Sequence, residues 1–302
     1  MTTAASLTRR TFLAGALAAG AALPHVASAA GAPAPAKTGP WQIGCYTRPW
    51  AGEDWRVAFE TIAEAGYKHV GLMTTKAPGG LVISVATTID EAKQVGEEAK
   101  KRGLGIPSVY GGDIPVAKSL EAGIEGLRKL IDNCAAAGAA NLMMGGIGDP
   151  KLQPLYYKAV AECCDYAAAK GIGISVKPHG GLNSTGPQCR KVIEQVGHKN
   201  FRLWYDPGNI FYYSDGRLDP VADAAAVDGL VVGMSVKDYL PPKNVDVTPG
   251  TGKVNFAAVL ARLKTGGFTQ GPLVVETLAP GDAAKTLDEA RKARRFLEQL
   301  VG

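Results

Sequence analysis

The sequence predicts an α/β fold, a single (β/α)8 TIM barrel that begins near Trp41 and ends at Gly302. Three observations favour it. Short apolar segments rich in β-branched residues alternate with longer segments of helical periodicity, as strands and helices do in parallel sheets. Glycine follows several helical segments, as at Gly66, Gly138 and Gly171, where helices often end in a left-handed residue. Eight such units over residues 41–302 match the usual barrel length of about 250 residues.

Each predicted strand is a short apolar segment. The strands are predicted at Gln42–Tyr46, His69–Met73, Ile106–Val109, Asn141–Met144, Gly173–Lys177, Phe201–Tyr205, Val231–Val236 and Leu273–Glu276. The helices that follow them are predicted at Trp55–Ala65, Ile89–Arg102, Leu120–Ala137, Tyr156–Lys170, Pro187–Val196, Pro220–Ala226, Phe256–Lys264 and Ala283–Leu300. A doubly wound open sheet is the alternative, but Tyr46-Thr47-Arg48-Pro49 after the first strand lacks the glycine-rich phosphate fingerprint of that fold.

The N-terminal segment has the composition of an export signal. The pair Arg9-Arg10 precedes a mildly apolar run that ends at Ala27-Ser28-Ala29, a pattern typical of a twin-arginine signal peptide with a cleavage site. We therefore assign residues 1–30 to a twin-arginine-type signal peptide and residues 31–40 to a Pro/Ala-rich tether. A lipid-associated N-terminal helix is the alternative, and the cleavage site argues against it. The expected location is the periplasm or the secreted fraction.

Composition and charge exclude several classes of protein. The chain is 46% hydrophobic and carries a formal net charge of +5, which is too apolar for a disordered chain. Its basic and acidic residues are interleaved, so the sequence shows no stripe suited to nucleic acid. Beyond the first thirty positions, no apolar run reaches the roughly 20 residues of a membrane span. The five cysteines lack C-x-x-C spacing and are predicted to be buried thiols, although a disulfide stays open.

Ionisable side chains are concentrated at the predicted ends of strands five to eight. In a barrel of this type the active site forms at the C-terminal ends of the strands. A purely structural segment would carry Val, Leu or Ala there, so this concentration is the main functional signal in the sequence. The ionisable residues are Lys177, His179, Asp206, Lys237, Asp238 and Glu276, and the polar Asn209 stands close to them after strand six.

The segments that carry these residues resemble the xylose isomerase-like barrel superfamily, of the sugar phosphate isomerase/epimerase type. The resemblance rests on Tyr205-Asp206-Pro207-Gly208-Asn209, Val236-Lys237-Asp238-Tyr239, the loop from Pro249 to Phe256, and Pro272-Leu273-Val274-Val275-Glu276. It implies a divalent metal held by Glu on strand five, Asp on strand six, His on strand seven and Glu on strand eight. It also implies proton transfer at a carbon next to a sugar carbonyl.

The sequence departs from that family pattern at two of the four metal positions. Asp206 and Glu276 match it, whereas Lys177 stands at the strand-five position and Ser235 at the strand-seven position. Three alternatives follow. Lys177 can take the electrostatic role of the metal, a Mn or Mg ion can still bind, or a desolvated Lys177 can act as base or nucleophile. A structural ion pair is the non-catalytic interpretation. The possible metal ligands are Asp206, Glu276, His179 and Asp238.

Each candidate catalytic residue is given a role suited to its chemistry. Glu276 is predicted to be the base, with His179 as its acid/base partner. Lys177 and Asp206 are predicted to stabilise an enolate. Lys237 either contacts the substrate or pairs with its neighbour Asp238. The predicted substrate-binding residues, chosen for side chains that suit hydroxylated rings, are Tyr46, Arg48, Trp50, Tyr110, Asn209 and Lys237.

The predicted function is an exported sugar isomerase or epimerase that abstracts a proton next to the carbonyl of a sugar or keto-sugar. A lyase or hydrolase of 3-keto-glycosides and a non-catalytic sugar-binding barrel are the alternatives. A nuclease of the same superfamily would need a His-rich metal cluster, and one candidate His at the barrel mouth argues against it. The expected partner is a small carbohydrate, without nucleic acid or a membrane span. The cofactor is either none or a divalent Mn or Mg ion, and a homo-oligomer stays open.

Overall fold

Eight parallel strands form the centre of the protein. The computed structural model describes residues 41–77 and 79–302, so the predicted signal peptide and tether lie outside the described residues. The strands are β1 Trp41–Tyr46, β2 His69–Gly71, β3 Val109–Tyr110, β4 Asn141–Met144, β5 Gly173–Val176, β6 Phe201–Tyr205, β7 Val231–Val236 and β8 Gly271–Val275. Their alternation with helices confirms the predicted (β/α)8 barrel.

The strands pair in the order β2-β1-β8-β7-β6-β5-β4-β3. The two ends of this order, β2 and β3, meet through isolated parallel bridges between His69 and Gly105 and between Leu72 and Val109. Strand β8 pairs with β1 over five residue positions, from Trp41 opposite Gly271 onward. The sheet is therefore a nearly closed barrel, and the C-terminal ends of all its strands lie at one rim.

Nine α-helices surround the barrel in the described part of the chain. They are α1 Trp55–Glu64, α2 Ile89–Lys101, α3 Leu120–Ala136, α4 Gln153–Ala169, α5 Gly186–Val196, α6 Pro207–Tyr213, α7 Pro220–Ala224, α8 Phe256–Thr265 and α9 Ala283–Val301. Local sequence explains their ends: Thr88 and Glu91 form a capping box before α2, and Gly197 ends α5 with φ 66°. Among these described helices, none has the length and apolarity needed to cross a membrane.

Strand β3 is shorter than the sequence predicts. It spans Val109–Tyr110 rather than Ile106–Val109. Pro107 has no N–H to donate to a neighbouring strand, so continuous pairing stops there. Ile106 is left with a single bridge to Ala139.

The five cysteines are buried free thiols, as predicted.

Helix α6 was not predicted from the sequence. It begins at Pro207, and the Asp206 side chain caps it by accepting the backbone N–H of Asn209 at 2.9 Å. The start Pro207-Gly208-Asn209 is typical of a turn, which is why the periodicity did not indicate a helix. As a consequence, the segment after β6 turns sharply at the rim of the barrel and brings Tyr212 and Tyr213 to it.

Inward-facing side chains fill the barrel in layers, because alternate residues of a strand point to the same side. One buried apolar cluster lies inside the barrel, separate from the larger core between strands and helices. Two positions beyond Trp204 and Val274, the next inward-facing residues are Asp206 and Glu276. The fold thus brings these carboxylates to the rim, above an apolar layer. That layer consists of Tyr46, Met73, Met143, Trp204 and Val274.

Candidate functional site

Four charged side chains meet where β5, β6, β7 and β8 end. Lys177, Asp206, Lys237 and Glu276 each follow the last residue of one of these strands, so the charge alternates in sign from strand to strand. All four are at most 2% exposed. The barrel therefore holds a compact group of two cations and two anions, here called the charged quartet.

Lys177 bridges the two carboxylates of the charged quartet. Its Nζ lies 2.9 Å from Asp206 Oδ2 and 2.7 Å from Glu276 Oε2. Its backbone N–H donates to Met144 O at 3.1 Å, which fixes the residue at the end of β5. Burial alone would lower the pKa of Lys177, but the two carboxylates outweigh burial and raise this pKa above its ordinary value. Lys177 is therefore protonated at neutral pH.

Lys237 contacts the same two carboxylates. Its Nζ lies 2.5 Å from Glu276 Oε1 and 3.3 Å from Asp206 Oδ2, and it donates to Asn209 Oδ1 at 3.0 Å. The suggestion that Lys237 pairs with Asp238 is therefore wrong. Burial lowers the pKa of Lys237, and the two carboxylates offset burial only in part because Lys177 is also nearby. Of the two lysines in the charged quartet, Lys237 loses its proton more readily.

Glu276 is surrounded by three cationic groups. Besides the two lysines, Arg48 Nη1 donates to its Oε1 at 2.8 Å. Burial would raise the pKa of Glu276, but Lys177, Lys237 and Arg48 together hold this pKa well below its ordinary value. Arg48 itself follows β1 in a short 3-10 turn, and its side chain is 32% exposed. Glu276 is consequently ionised at any pH near neutrality.

A pocket opens above the charged quartet. Its volume is about 360 Å³, which lies within the usual range for small-molecule sites. Lys177, Lys237 and Glu276 form part of its wall, whereas Asp206 lies behind them and is 0% exposed. The pocket is lined by Arg48, Met73, Thr74, Tyr110, Lys177, His179, Asn209, Tyr212, Tyr213, Lys237, Val245 and Glu276.

His179 stands in the pocket between two tyrosines. Its ring centroid lies 5.7 Å from that of Tyr110 and 6.1 Å from that of Tyr213. Within the described part of the chain, neither ring nitrogen takes part in a hydrogen bond, and Nδ1 lies against Gly145, where an added Cβ would be only 3.0 Å away. Desolvation, helped by the positive charge of Lys177, lowers the pKa of His179 to about 4. The imidazole is therefore neutral at neutral pH, and it lines the pocket.

Two of the residues predicted to bind substrate do not reach the pocket. Tyr46 is 0% exposed, lies in the apolar layer beneath it and donates to Ser108 Oγ at 3.1 Å. Trp50 packs in the core between strands and helices. The prediction that Tyr46 and Trp50 bind substrate is therefore wrong. An aromatic residue near a strand end can also fill the interior of the barrel or the core between its strands and helices. Arg48, Tyr110, Asn209 and Lys237 do line the pocket.

Asp238 holds a loop rather than facing the pocket. Its Oδ1 accepts the backbone N–H groups of Tyr239 and Val254, and its Oδ2 accepts those of Gly250 and Gly252, all within 3.0 Å. Both oxygens are thus already occupied, so its suggested role as a metal ligand is corrected. Asp238 explains instead why the loop with Gly250 and Gly252 has a fixed shape at the end of β7.

Ser235 also lies away from the pocket. It belongs to β7, pairs in register with Val274 and is 0% exposed. The strand-seven side chain at the level of the carboxylates is Lys237, two residues further along the same inward face. The sequence comparison with the family pattern placed this position one layer too deep. The structure therefore places a second lysine, Lys237, among the carboxylates, whereas the sequence predicted it only as a substrate contact or as a partner of Asp238.

The donor set of the charged quartet does not suit a divalent metal ion. Within residues 41–77 and 79–302, no three or more His, Cys, Asp and Glu side chains are grouped so that they could hold one. The two carboxylates are already neutralised by two ammonium groups, whose summed charge equals that of a divalent cation. Such an ion about 4 Å from an ammonium would be repelled by roughly 8 kcal/mol at an effective dielectric constant of 20. The residues present do not fit the metal that the resemblance implies.

Most of the barrel matches a known family of proteins. Residues 59–300 match the family model described as xylose isomerase-like TIM barrel. A curated relative, the probable L-ribulose-5-phosphate 3-epimerase of Mycoplasma pneumoniae, is 28% identical over 147 residues, which are 47% of this chain and 46% of the relative. The chain thus spans about half the length of the curated relative that it matches.

Solved structures show the same architecture. A D-psicose 3-epimerase determined in the presence of D-fructose has a TM-score of 0.69 at 14% identity, over 86% of this chain and 99% of its own. A xylose isomerase domain protein from Planctomyces limnophilus has a TM-score of 0.66 at 20% identity, over 86% and 97%. A D-psicose 3-epimerase from Clostridium cellulolyticum H10, determined with D-tagatose, has a TM-score of 0.70 at 14% identity, over 86% and 99%. At these identities the likeness concerns the fold.

Proposed function

The chain belongs to the xylose isomerase-like TIM barrel family, and from that premise we propose that it is an exported sugar isomerase or epimerase. In the proposed reaction a proton leaves the carbon next to the carbonyl of a keto-sugar, and buried ammonium groups hold the negative charge that develops on the carbonyl oxygen. The observation that carries the proposal is the position of Lys177, 2.9 Å from Asp206 and 2.7 Å from Glu276 at the floor of the pocket.

Lys177 is suited to hold an enolate oxygen. It is protonated, it lines the pocket, and its two ion pairs prevent it from turning away. A unit negative charge about 3 Å from its nitrogen would be stabilised by roughly 5 kcal/mol at an effective dielectric constant of 20. Its raised pKa argues against the alternative in which a neutral Lys177 acts as base or nucleophile. The proposed role is therefore electrostatic.

His179 is the proposed proton acceptor, with Glu276 as its partner. Both groups are unprotonated at neutral pH, but Glu276 must first lose contacts with three cations before it can take a proton. His179 needs no such rearrangement, because its ring nitrogens lack partners among the residues described. A neutral imidazole that faces the pocket meets the geometric requirement for a general base. This assignment refines the roles expected from the sequence, where Glu276 is the base.

The aromatic wall of the pocket supports a sugar as the ligand. Tyr110 and Tyr213 stand on either side of His179, and Asn209 lies beside Lys237 with its amide oriented by Pro178 O at 2.6 Å. Aromatic faces pack on the C–H faces of sugar rings, while amide and ammonium groups bond their hydroxyls. The named activities of the M. pneumoniae relative and of the solved epimerases are likewise on sugars.

Export forms the second part of the proposal. Its support is the pair Arg9-Arg10 followed by an apolar run, and export would favour sugars found outside the cytoplasm. The test uses the full chain expressed with its own N-terminus, compared with an Arg9→Lys and Arg10→Lys double variant. Lysine keeps the positive charge but removes the twin-arginine motif. Equal export of the two proteins would refute a twin-arginine route.

Solvent deuterium incorporation tests the proposed chemistry. The full protein, treated with a chelator and then dialysed, is incubated with D-psicose, D-fructose or D-tagatose in deuterated water and followed by NMR. We expect deuterium at the carbon next to the carbonyl of at least one ketose. Lys177→Met should lower the rate by about 100- to 1000-fold, the usual effect of removing one oxyanion donor.

The control for this experiment is Lys170→Met. Lys170 lies 2.9 Å from Asp132, the same separation as that between Lys177 and Asp206, but it is on the surface. Its replacement should leave the exchange rate unchanged. Absence of deuterium from all three ketoses would refute the proposal and favour a non-catalytic barrel. Exchange that appears only after addition of Mn or Mg would refute the electrostatic role of Lys177.

A further inference from the structure

The charged groups at the floor of the pocket do not balance. The charged quartet is neutral as a set, because its two ammonium groups face two carboxylates. Arg48 adds a third cation, whose Nη1 donates to Glu276 Oε1 at 2.8 Å. Asp238, the buried carboxylate next to Lys237 in the sequence, is occupied by four backbone N–H groups instead. The quartet and Arg48 together therefore carry one excess positive charge.

The ionisable groups nearby respond to this excess. Burial lowers the pKa of Lys237, and repulsion by Lys177 and Arg48 lowers it further, against the attraction of the two carboxylates. Burial also lowers the pKa of His179 to about 4, and the charge of Lys177 acts in the same direction. The wall of the pocket is thus electropositive, and a negative charge on a ligand would be stabilised there.

Arg48 has one edge that is only weakly paired. Its Nη2 lies 3.7 Å from Asp246 Oδ1, which is longer than a hydrogen bond, and the Asp246 side chain is 64% exposed. An ion pair of that kind contributes little to stability. Arg48 itself lines the pocket, and a guanidinium group is well suited to bind a carboxylate. An anionic ligand can therefore replace Asp246 as the partner of Nη2 while Nη1 stays on Glu276.

Arg48 and Lys177 lie on different sides of the Glu276 carboxylate. Lys177 contacts Oε2, whereas Arg48 donates to Oε1. A group that binds Arg48 is therefore separated from a carbonyl above Lys177 by at least the width of that carboxylate, which corresponds to several bonds along a sugar. One excess positive charge matches a carboxylate, with its charge of −1, better than a phosphate ester, which carries about −1.5 to −2 at pH 7.

We infer that the ligand of this pocket is a sugar acid, a keto-sugar whose carboxylate binds Arg48 at the end remote from the carbonyl. The inference rests on the proposed function, which places the carbonyl above Lys177. A neutral ketose keeps the reacting carbons but lacks the partner for Arg48, so it binds more weakly. The carboxylate supplies the missing negative charge and leaves the charged quartet intact.

Calorimetric titration of the full protein at low ionic strength tests the inference. The probes are D-fructose, D-fructuronate, in which C6 of D-fructose is oxidised to a carboxylate, and D-fructose 6-phosphate. D-fructuronate should bind about tenfold or more tightly than D-fructose, as expected for one charge-assisted hydrogen bond, and more tightly than the phosphate ester. Arg48→Gln should abolish this preference. Asp246→Asn removes the competing carboxylate, and it should tighten D-fructuronate binding by up to about fivefold.

Arg56→Gln is the matched control. Arg56 also pairs with a single exposed aspartate, Asp54 at 3.2 Å, but it lines a different cavity beside Trp55, so its replacement should preserve the preference for D-fructuronate. Equal affinity of the wild-type protein for D-fructose and D-fructuronate would overturn the inference. So would a preference that neither Arg48→Gln nor Asp246→Asn changes, or tighter binding of the phosphate ester than of D-fructuronate.

Deuterium exchange separates the inference from the proposed function. Exchange into D-fructose without a preference for D-fructuronate refutes only the sugar acid. Absence of exchange into both D-fructose and D-fructuronate refutes the proposed function, and with it the inference that rests on that function.

Discussion

Replacement of Lys177 by methionine is the most direct perturbation of the charged quartet. Lysine and methionine side chains have similar length, so the variant removes mainly the ammonium group. At an effective dielectric constant of 20, each contact of Lys177, at 2.7 and 2.9 Å, corresponds to roughly 6 kcal/mol of Coulomb energy. Most of that energy offsets the desolvation of three buried charges. Removal of one partner from a buried ion pair typically lowers the free energy of unfolding by about 3–5 kcal/mol.

Urea denaturation followed by circular dichroism at neutral pH measures this loss. Lys170→Met is the matched control, because Lys170 Nζ and Asp132 Oδ1 are also 2.9 Å apart but the lysine side chain is 36% exposed. The control should lose less than about 1 kcal/mol. The comparison contrasts a buried lysine held by two carboxylates with an exposed lysine held by one carboxylate, at the same separation of 2.9 Å for one contact of each.

A double-mutant cycle with Glu276→Gln then measures the interaction itself. Residues in direct contact are commonly coupled by about 0.5–3 kcal/mol, so the double variant should lose less stability than the sum of the two single variants. A loss for Lys177→Met equal to that of the surface control, or strict additivity in the cycle, would refute the reasoning. It would mean that the charged quartet does not hold the rim of the barrel together.

Three further predictions concern individual residues of the site. His179→Asn should lower the deuterium exchange rate by about 100-fold or more. In the wild-type protein, kcat/KM should stay constant as the pH falls to 6.5, the ordinary pKa of His, and should then decline toward pH 4. The reason is that the neutral imidazole is the active form. Lys177→Glu combined with Lys237→His should create a Mn site that calorimetry detects. Equal Mn binding by the wild-type protein would contradict the conclusion that the charged quartet does not suit a divalent metal ion. Asp238→Asn should lower the free energy of unfolding by about 2 kcal/mol, since two backbone N–H groups would face an amide NH₂, and a changed KM would argue against a purely structural role.

The sequence predicts the barrel and the position of all four members of the charged quartet for a simple physical reason. Each strand is marked by an apolar run, and a charged residue directly after such a run stands at the rim in any parallel barrel. Lys177, Asp206 and Glu276 were identified in this way as catalytic candidates. Lys237 was identified too, but as a substrate contact or a partner of Asp238, because the carboxylate beside it in the sequence offered a nearer partner than Asp206 and Glu276, which it contacts in the fold.

The residues that the sequence assigned wrongly were misassigned for a different reason. Tyr46, Trp50 and Asp238 all stand near strand ends, yet whether a side chain turns into the pocket depends on the loop that follows the strand. Asp238 illustrates this. It accepts four backbone N–H groups, of which one belongs to the adjacent Tyr239 and three belong to a loop that begins twelve positions further on, at Gly250. Periodicity carries no information on such loops, and it therefore identifies where a site lies better than which side chains line it.

The ion pair between Lys177 and Glu276 also sets the pH range over which the folded protein is most stable. Acid unfolding measures the lower end of that range. The folded-state pKa of Glu276 lies below its ordinary value of 4.5, so its stabilising contribution is present above pH 4.5 and is lost as the pH falls through the folded-state value. The folded-state pKa of Lys177 lies above 10.5, so its contribution is present below pH 10.5 and is lost as the pH rises further. In Lys177→Met, Glu276 loses the ammonium group that donates to its Oε2 at 2.7 Å, so the pKa of Glu276 must rise. The midpoint of acid unfolding, measured by circular dichroism, should therefore move to higher pH in this variant than in Lys170→Met, and an unchanged midpoint would show that Arg48 and Lys237 alone hold Glu276 ionised.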